Sequence, residues 1–340
     1  MDGIQITDKK TLEAITKKEL FDSVDSAKIK LTKTLLIRED FNTLKGDARA
    51  VYPVIPGRIG VGKVVETCGD EIFGIERGVR VFPHPEVACG KCYECINGNF
   101  ASCSAFNVAG KNVDGFLRDF AIFPDDAISI LPPTVSDYDA LFIDHVALCD
   151  NIIDAIGLKK GEHVVIVGGD ALGIILAQLV IYYQGVPILV DNNDNNIITA
   201  KNAGVYYTLF ADNKIEKNVT ELTGARMAKK VVYMTGSNLN TDIALRLSGH
   251  NATVCFAGFG SPSIKVNFNV ALLKQLEFKC VTTGYGNIES AINILANKAV
   301  DTGVFSIQQV KKGAAMEKIK EMSESLDYSA CSGMLIIDVD

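Results

Sequence analysis

The alternation of apolar and polar segments is clearest in the middle of the chain. Residues 164–167 (VVIV) form a short β-branched run that is typical of a strand buried on both faces. An apolar stretch over 171–183 follows and is long enough for about three helical turns, and a second apolar run over 188–190 ends at Asp191. This order predicts a strand, a tight turn, a helix and a second strand, which is how a dinucleotide-binding sheet begins.

Further strand-like runs continue this pattern toward the C-terminus. They lie at 205–210, 230–234, 252–256 and 278–283, with helical patterns between them. Strands that alternate with helices predict an α/β fold, a doubly wound parallel sheet. Thr235, Gly258 and Thr283 fall at the ends of these strands, where such sheets bind ligands.

The flanking regions show other patterns. Residues 1–36 alternate charged clusters with short β-prone runs and predict an antiparallel sheet with one solvated face. Residues 53–67 mix glycines with β-branched residues, as small barrels do where their strands bend. An apolar helix is predicted over 137–157, and two helices and a terminal strand at 334–338 are predicted after residue 287.

The turn after the first buried strand carries an incomplete dinucleotide fingerprint. In the pattern G-x-G-x-x-G, the first and third glycines are Gly168 and Gly173, but the middle position is Asp170. A carboxylate therefore lies where the phosphates of the cofactor would approach. Asp191 is suited to the ribose hydroxyls and favours NAD(H) over NADP(H). The remaining candidate cofactor contacts are Gly169, Ala171, Leu172 and Asn192, besides the three strand-end residues. An α/β domain without a cofactor is the alternative.

Four cysteines in a short loop give the most specific signal. Cys89, Cys92, Cys95 and Cys103 are spaced C-x2-C-x2-C-x7-C in a turn-rich segment. Four thiolates can complete a tetrahedral shell around Zn²⁺ and leave no position for catalysis, so the predicted site is structural. An iron–sulfur cluster or unliganded thiols are the alternatives.

Composition narrows the class of protein. The chain has 340 residues, 34 basic and 41 acidic, and a net charge of −7 without a dense basic block. Nucleic acid and anionic membranes are therefore not expected partners. The polar N-terminus is not typical of a signal peptide, and no run is apolar enough for a membrane span. Nine cysteines, an odd number, indicate a reducing compartment, the cytoplasm.

Together, the cysteine loop, the segments GVGKVVE and DGFLRDFAIFP, and the strand–helix–strand unit resemble the medium-chain dehydrogenase/reductase superfamily over nearly the whole chain. The resemblance implies a GroES-like β-barrel catalytic domain formed by 1–149 and 286–340, with a zinc lobe at about 85–105. It also implies an inserted Rossmann domain at 150–285. By analogy with the family we expect a homodimer or homotetramer.

The family's catalytic zinc is not expected here. The resemblance aligns its cysteine ligand with Ile37, its histidine ligand with Arg58 and its third ligand with the neighbourhood of Asp144. Isoleucine has no ligand atom, and arginine is a permanent cation. We therefore predict an NAD(H)-dependent oxidoreductase that retains structural zinc but lacks catalytic zinc.

Charged residues near the lost ligands are the catalytic candidates. Glu39 aligns with the family's proton relay and is a candidate proton donor, or a salt-bridge partner of Arg38. Arg58 would bind a substrate carboxylate or phosphate, or neutralise Asp144 or Asp40. Arg38 aligns with a pyrophosphate contact in some relatives, and His145 is either a site residue or a core residue.

The predicted substrate is a small polar carbonyl, iminium or activated alkene, a class that includes anionic molecules. Two alternatives stay open at this point. One is a non-catalytic family member that acts as a binding or assembly partner. The other is a zinc-dependent alcohol or polyol-phosphate dehydrogenase whose ligands are Asp40, Asp144 and His145.

Overall fold

The computed structural model describes residues 1–17, 25–46, 50–68, 74–259, 263–326 and 331–340. These residues divide into two compact units. The first unit contains 1–144, 307–326 and 333–340, and the second contains 145–306 and 331–332. Within the described ranges, no helix is long and apolar enough to cross a membrane.

The strands are β1 (Asp2–Asp8), β2 (Thr11–Thr16), β3 (Ser26–Leu36), β4 (Ile59–Cys68), β5 (Arg80–Pro83), β6 (Glu86–Val87), β7 (Asn107–Val108), β8 (Phe120–Pro124), β9 (Ile128–Ile130), β10 (His163–Val167), β11 (Val186–Asp191), β12 (Tyr207–Phe210), β13 (Ala228–Met234), β14 (Ser248–Ala257), β15 (Glu277–Val281), β16 (Gln308–Lys311) and β17 (Leu335–Asp338).

The α-helices are α1 (Arg38–Lys45), α2 (Tyr93–Ile96), α3 (Asp137–Ala140), α4 (Ile143–Ile156), α5 (Ala171–Tyr182), α6 (Asp194–Asn202), α7 (Ile215–Leu222), α8 (Asp242–Leu247), α9 (Phe268–Lys274), α10 (Ile288–Ala296) and α11 (Lys312–Glu324).

The first unit is built on a seven-stranded sheet. Its order is β16-β17-β3-β4-β5-β9, and β8 also pairs with β3. The predicted antiparallel pairing of the N-terminal region is present, but it is divided: β1 and β2 form their own hairpin, whereas β3 joins the large sheet. Residues 18–24 of that region lie outside the described residues.

Two apolar clusters form the core of this unit. In one, β1 and α1 pack with the C-terminal α11 and β17, through buried side chains such as Ile6, Phe41, Ile319 and Leu335. The return of the chain after residue 306 therefore completes the core that the N-terminal segments begin. Burial of such side chains stabilises the fold by about 1.5–3 kcal/mol each.

The second unit contains a six-stranded parallel sheet in the order β12-β11-β10-β13-β14-β15. Each central strand is almost wholly buried, because helices cover both faces of the sheet. The register pairs Val165 with both Ile188 and Val231, so β10 lies at the centre. The predicted doubly wound sheet is confirmed.

Two predicted boundaries differ from the structure. The helix predicted over 137–157 is divided into α3, whose first turn Ser136 caps by accepting the Asp139 N–H, and α4. Residues 286–306 belong to the second unit rather than to the catalytic domain. In this unit the buried carboxylate of Asp150 accepts hydrogen bonds from Tyr183, Asn287 and Ser290.

Candidate functional site

Helix α1 begins at the segment that aligns with the first zinc-ligand position. Ile37, which the resemblance aligns with that ligand, is buried. Asp40, in the first turn, accepts hydrogen bonds from the Ile37 N–H at 2.9 Å and from the Gly57 N–H at 2.7 Å. Its carboxylate therefore joins the start of α1 to the loop that carries Arg58.

Arg58 lies between two buried carboxylates. Its Nε donates to Asp144 Oδ2 at 2.7 Å, and one terminal nitrogen donates to Glu86 Oε1 at 2.6 Å. All three residues are at most 6% exposed. The alternative role stated for Arg58, neutralisation of Asp144, is thus present in the structure, whereas Asp40 is bound by backbone N–H groups.

Burial shifts the pKa values of Asp144, Asp40 and Arg58. It raises the pKa of Asp144 to about 6, and Arg58 limits that rise. Burial also raises the pKa of Asp40 to about 6 against the opposing effect of its backbone hydrogen bonds. Although burial lowers the pKa of Arg58, its two carboxylate partners have the larger combined effect and raise it. The guanidinium is therefore a fixed positive charge.

Glu39 is the half-buried carboxyl group of α1. Burial raises its pKa to about 7, and the positive charges of Arg58 and Arg38 only partly oppose that rise. A carboxyl group with such a pKa is protonated in a large fraction of molecules near neutral pH, and it can donate or accept a proton there. A proton donor at this position requires such a raised pKa.

In the second unit, the turn between β10 and α5 requires two of the three fingerprint glycines. Gly168 has φ +110°, a conformation that L side chains rarely adopt. A Cβ atom added to Gly173 would lie 2.0 Å from the Gly168 carbonyl oxygen. Close packing of the helix against the strand therefore depends on glycine at both positions.

Asp170 and Asp191 use their carboxylates within this turn. Asp170 is the N-cap of α5 and accepts from the Gly173 N–H at 2.9 Å. Asp191, at the end of β11, accepts from the Gly169 N–H at 2.5 Å and from the Asn193 N–H at 2.7 Å. The acid expected to contact ribose therefore also fixes the shape of the turn.

The other predicted cofactor residues lie at the same edge of the sheet. Ala171 and Leu172 form the first turn of α5, and Asn192 is exposed just after β11. Thr235, Gly258 and Thr283 follow β13, β14 and β15, respectively. Because these strands are parallel, their carboxyl ends form one edge, where doubly wound sheets bind ligands.

His145 is buried in α4. Its ring packs edge-on against Phe259, with the ring centroids 5.2 Å apart and the planes at 89°. This packing is typical of a core histidine.

The four cysteines of the loop converge. Their sulfur atoms all lie within 4.8 Å of one another, with 3.4 Å between Cys92 and Cys95. Zn–S bonds of about 2.3 Å in a tetrahedron place sulfurs about 3.8 Å apart, so the residues fit a structural zinc ion. Backbone N–H groups of Cys95 and Ser104 lower the pKa of Cys92 to about 6, which favours the thiolate that zinc binds. Elsewhere in the described ranges, no three His, Cys, Asp or Glu side chains form such a group.

Glu86 was not among the predicted site residues. It lies in the two-residue strand β6, three positions before the cysteine loop, between Pro85 and Val87. A carboxylate within a short β-prone run was the only signal in the sequence. Its pairing with Arg58 depends on the fold, because the two residues are 28 positions apart.

Comparison with known proteins agrees with this architecture. Residues 24–133 match the family described as the alcohol dehydrogenase GroES-like domain. An uncharacterized zinc-type alcohol dehydrogenase-like protein of Haemophilus influenzae is 26% identical over 274 residues, which cover 80% of each protein.

Two solved structures share the fold. A protein of Sinorhizobium meliloti described as a zinc-binding dehydrogenase, bound to NADP, has a TM-score of 0.87 at 19% identity over 99% of both chains. An alcohol dehydrogenase of Escherichia coli complexed with NADH has a TM-score of 0.87 at 20% identity. The second alignment covers 100% of the present chain and 99% of the other.

Proposed function

The chain belongs to the medium-chain dehydrogenase/reductase superfamily, and from this premise we propose that it is an NAD(H)-dependent oxidoreductase that transfers hydride without a catalytic zinc. The observation that carries the proposal is the buried Arg58 ion pair with Asp144 and Glu86. Arg58, a permanent cation, lies at the position that the resemblance aligns with a metal ligand of the family.

The chemistry of the residues does not fit a metal ion at this position. Ile37 offers no ligand atom, and the Arg58 guanidinium is 2.7 Å from the carboxylate that would be the third ligand. A divalent ion would have to displace or repel that guanidinium. The remaining acid, Asp40, already accepts two backbone hydrogen bonds.

Glu39 is the proposed proton donor. In the reductive direction, Glu39 would donate its proton to the carbonyl oxygen or imine nitrogen of the substrate as hydride is added to the substrate carbon, and Glu39 would remain as a carboxylate. The pKa of about 7 supports this role, because an acid is most effective when its pKa lies near the working pH.

The charge of the group favours a neutral or cationic substrate. Arg58 is shared between two buried carboxylates, so a substrate anion would have to compete with an internal partner for its donors. Glu39 and Asp40 add further carboxyl groups in the same unit. We therefore assign Arg58 as an internal counter-ion and prefer neutral carbonyls, iminium ions and activated alkenes to carboxylates or phosphates as substrates.

NAD(H) is the proposed cofactor. Gly168 and Gly173 give the turn the close packing that a phosphate-binding helix needs, and Asp191 lies at the strand end where an acid disfavours a 2′-phosphate. The cofactor would supply the hydride when bound. These residues would hold its pyrophosphate and adenosine ribose.

A second candidate is a non-catalytic family member that acts as a binding partner. The carboxylate of Asp170 favours it, because it stands where phosphates would approach. The zinc-dependent alternative, with Asp40, Asp144 and His145 as ligands, is weakened by the Arg58 ion pair and by the packing of His145 on Phe259.

The test measures NADH oxidation by the purified protein with candidate substrates. Neutral carbonyls, cyclic imines and enones are the expected substrates, and α-keto acids are the anionic comparison. Glu39→Gln should lower turnover of an accepted substrate at least about 100-fold and remove the pH dependence near 7. Glu66→Gln, on an exposed position of β4, is the matched control and should retain activity. Full turnover in Glu39→Gln would disprove the assignment of Glu39, and activity toward none of these substrates would favour the binding partner.

A further inference from the structure

The carboxylate of Asp170 occupies a helix N-terminus that would otherwise serve a phosphate. Helix α5 has 12 residues, and Asp170 Oδ1 accepts the Gly173 N–H at 2.9 Å. The first N–H groups of a helix lack partners within the helix and point at whatever lies before it. Together with the helix dipole they make an anion site. Here the anion is part of the chain.

The neighbouring donors of the same turn are also engaged. The Gly168 N–H donates to the Val190 carbonyl oxygen at 2.9 Å, and the Gly169 N–H donates to Asp191 Oδ2 at 2.5 Å. With the Gly173 N–H bound by Asp170, these three backbone donors all have partners within the protein. A bound pyrophosphate would therefore have to share or displace them.

The second oxygen of Asp170 locates the carboxylate at the ligand edge of the sheet. A Cβ atom added to Gly236, which follows β13, would lie 2.6 Å from Asp170 Oδ2. The carboxylate thus lies between the start of α5 and the end of a central strand. This is the crevice in which doubly wound sheets bind nucleotides.

We propose that Asp170 is an internal competitor of the cofactor pyrophosphate and sets a low affinity for NAD(H). This inference rests on the proposed cofactor. Dinucleotide binding would place two phosphates of like charge near the Asp170 carboxylate, which already accepts the Gly173 N–H. At a half-buried position such repulsion changes a binding constant by about tenfold.

The variant Asp170→Asn isolates the charge. Asparagine is as good an N-cap as aspartate, so the variant retains the helix start and removes only the negative charge. Asp170→Ser is a second neutral cap and guards against an effect specific to the amide. The matched control is Asp301→Asn, because Asp301 is another capping aspartate that accepts a glycine N–H at 2.9 Å, from Gly303.

The experiment is a titration of each protein with NADH, followed by nicotinamide fluorescence, and with adenosine, followed by calorimetry. Asp170→Asn and Asp170→Ser should bind NADH about tenfold more tightly than the wild type, and Asp301→Asn should not differ from it. Adenosine has no phosphate, so its affinity should be the same in all four proteins. The gain for NADH should shrink as salt is added, because salt screens the repulsion.

The possible failures are distinguishable. If the wild type binds NADH and the neutral variants bind it equally or more weakly, Asp170 is not a competitor, while the proposed cofactor stands. If neither the wild type nor any neutral variant binds NADH, both the inference and the proposed cofactor are wrong. Tighter binding of adenosine by Asp170→Asn would also contradict the inference, since it would show a change of shape rather than of charge.

Discussion

Arg58 donates to Asp144 at 2.7 Å, and the same guanidinium binds Glu86. The resemblance aligns Arg58 with one ligand position of a catalytic zinc and the neighbourhood of Asp144 with another, and in this chain these two residues form an ion pair. Each partner of such a buried pair is needed for stability, because removal of one leaves the charge of the other uncompensated in a medium of low dielectric constant.

Arg58→Met should therefore destabilise the protein by about 3–5 kcal/mol, because Asp144 and Glu86 would lose their shared cation. Urea unfolding at neutral pH measures this change. Arg80→Met is the matched control: Arg80 also pairs with an aspartate, Asp137, but the two side chains are 27% and 30% exposed. Its loss should cost about 1 kcal/mol or less. Equal losses in the free energy of unfolding in both variants would mean that the buried Arg58 pair stabilises the protein no more than the exposed Arg80 pair.

Stability should fall as pH rises from about 4 to about 7. The carboxyl groups of Glu39, Asp40 and Asp144 keep their protons in the folded state to about pH 7, 6 and 6, whereas their ordinary pKa values are 4.5, 3.8 and 3.8. Between these limits the folded state binds more protons than the unfolded state, so the free energy of unfolding decreases with pH.

Glu39→Gln should remove the decrease above about pH 6, where Glu39 alone contributes to it, and should reduce the slope between about pH 4.5 and 6, where Asp40 and Asp144 also contribute. The free energy of unfolding of both proteins, measured by urea from pH 4 to 8, tests this. Glu66→Gln should follow the wild type throughout. Parallel curves for Glu39→Gln and the wild type above pH 6 would show that the pKa of Glu39 is not raised.

The elements that could be predicted from the sequence are those that depend on residues close together in the chain. The buried strands of the second unit are short β-branched runs closed by glycine or aspartate, and β10, α5 and β11 lie where that pattern predicts them. The four cysteines lie in one short loop, so their convergence depends on local structure.

The features that were not predicted depend on contacts between distant segments. Residues 286–306 group with the second unit, where Asp150 in α4 accepts hydrogen bonds from Asn287 and Ser290. The hydrophobic pattern of a sequence does not predict hydrogen bonds of this kind. The pairing of Glu86 with Arg58 is of the same kind. Asp170 was recognised as an obstacle to phosphate, but its bond to Gly173 is a matter of side-chain geometry.

Metal content should be one zinc ion per chain. Cys95→Ser should lose the zinc and lower the melting temperature, because the loop of Cys89, Cys92 and Cys103 would lose its tetrahedral closure. Cys280→Ser, at an exposed thiol on β15, is the control and should keep both zinc and stability. Elemental analysis together with thermal unfolding measures the two effects. A second zinc in the wild type would contradict the metal-free site at Arg58.

Asp191 should affect both the fold and the choice of cofactor. Asp191→Ala removes the acceptor of the Gly169 and Asn193 N–H groups, so we expect a loss of about 1–3 kcal/mol in the free energy of unfolding. It also removes the carboxylate that disfavours a 2′-phosphate, so the preference for NADH over NADPH should fall about tenfold. The control is Asp212→Ala, an exposed aspartate just after the neighbouring strand β12 whose carboxylate accepts the Lys214 N–H at 2.8 Å. Titration of each protein with both cofactors gives the preference. An unchanged ratio in Asp191→Ala would limit the role of this acid to the shape of the turn.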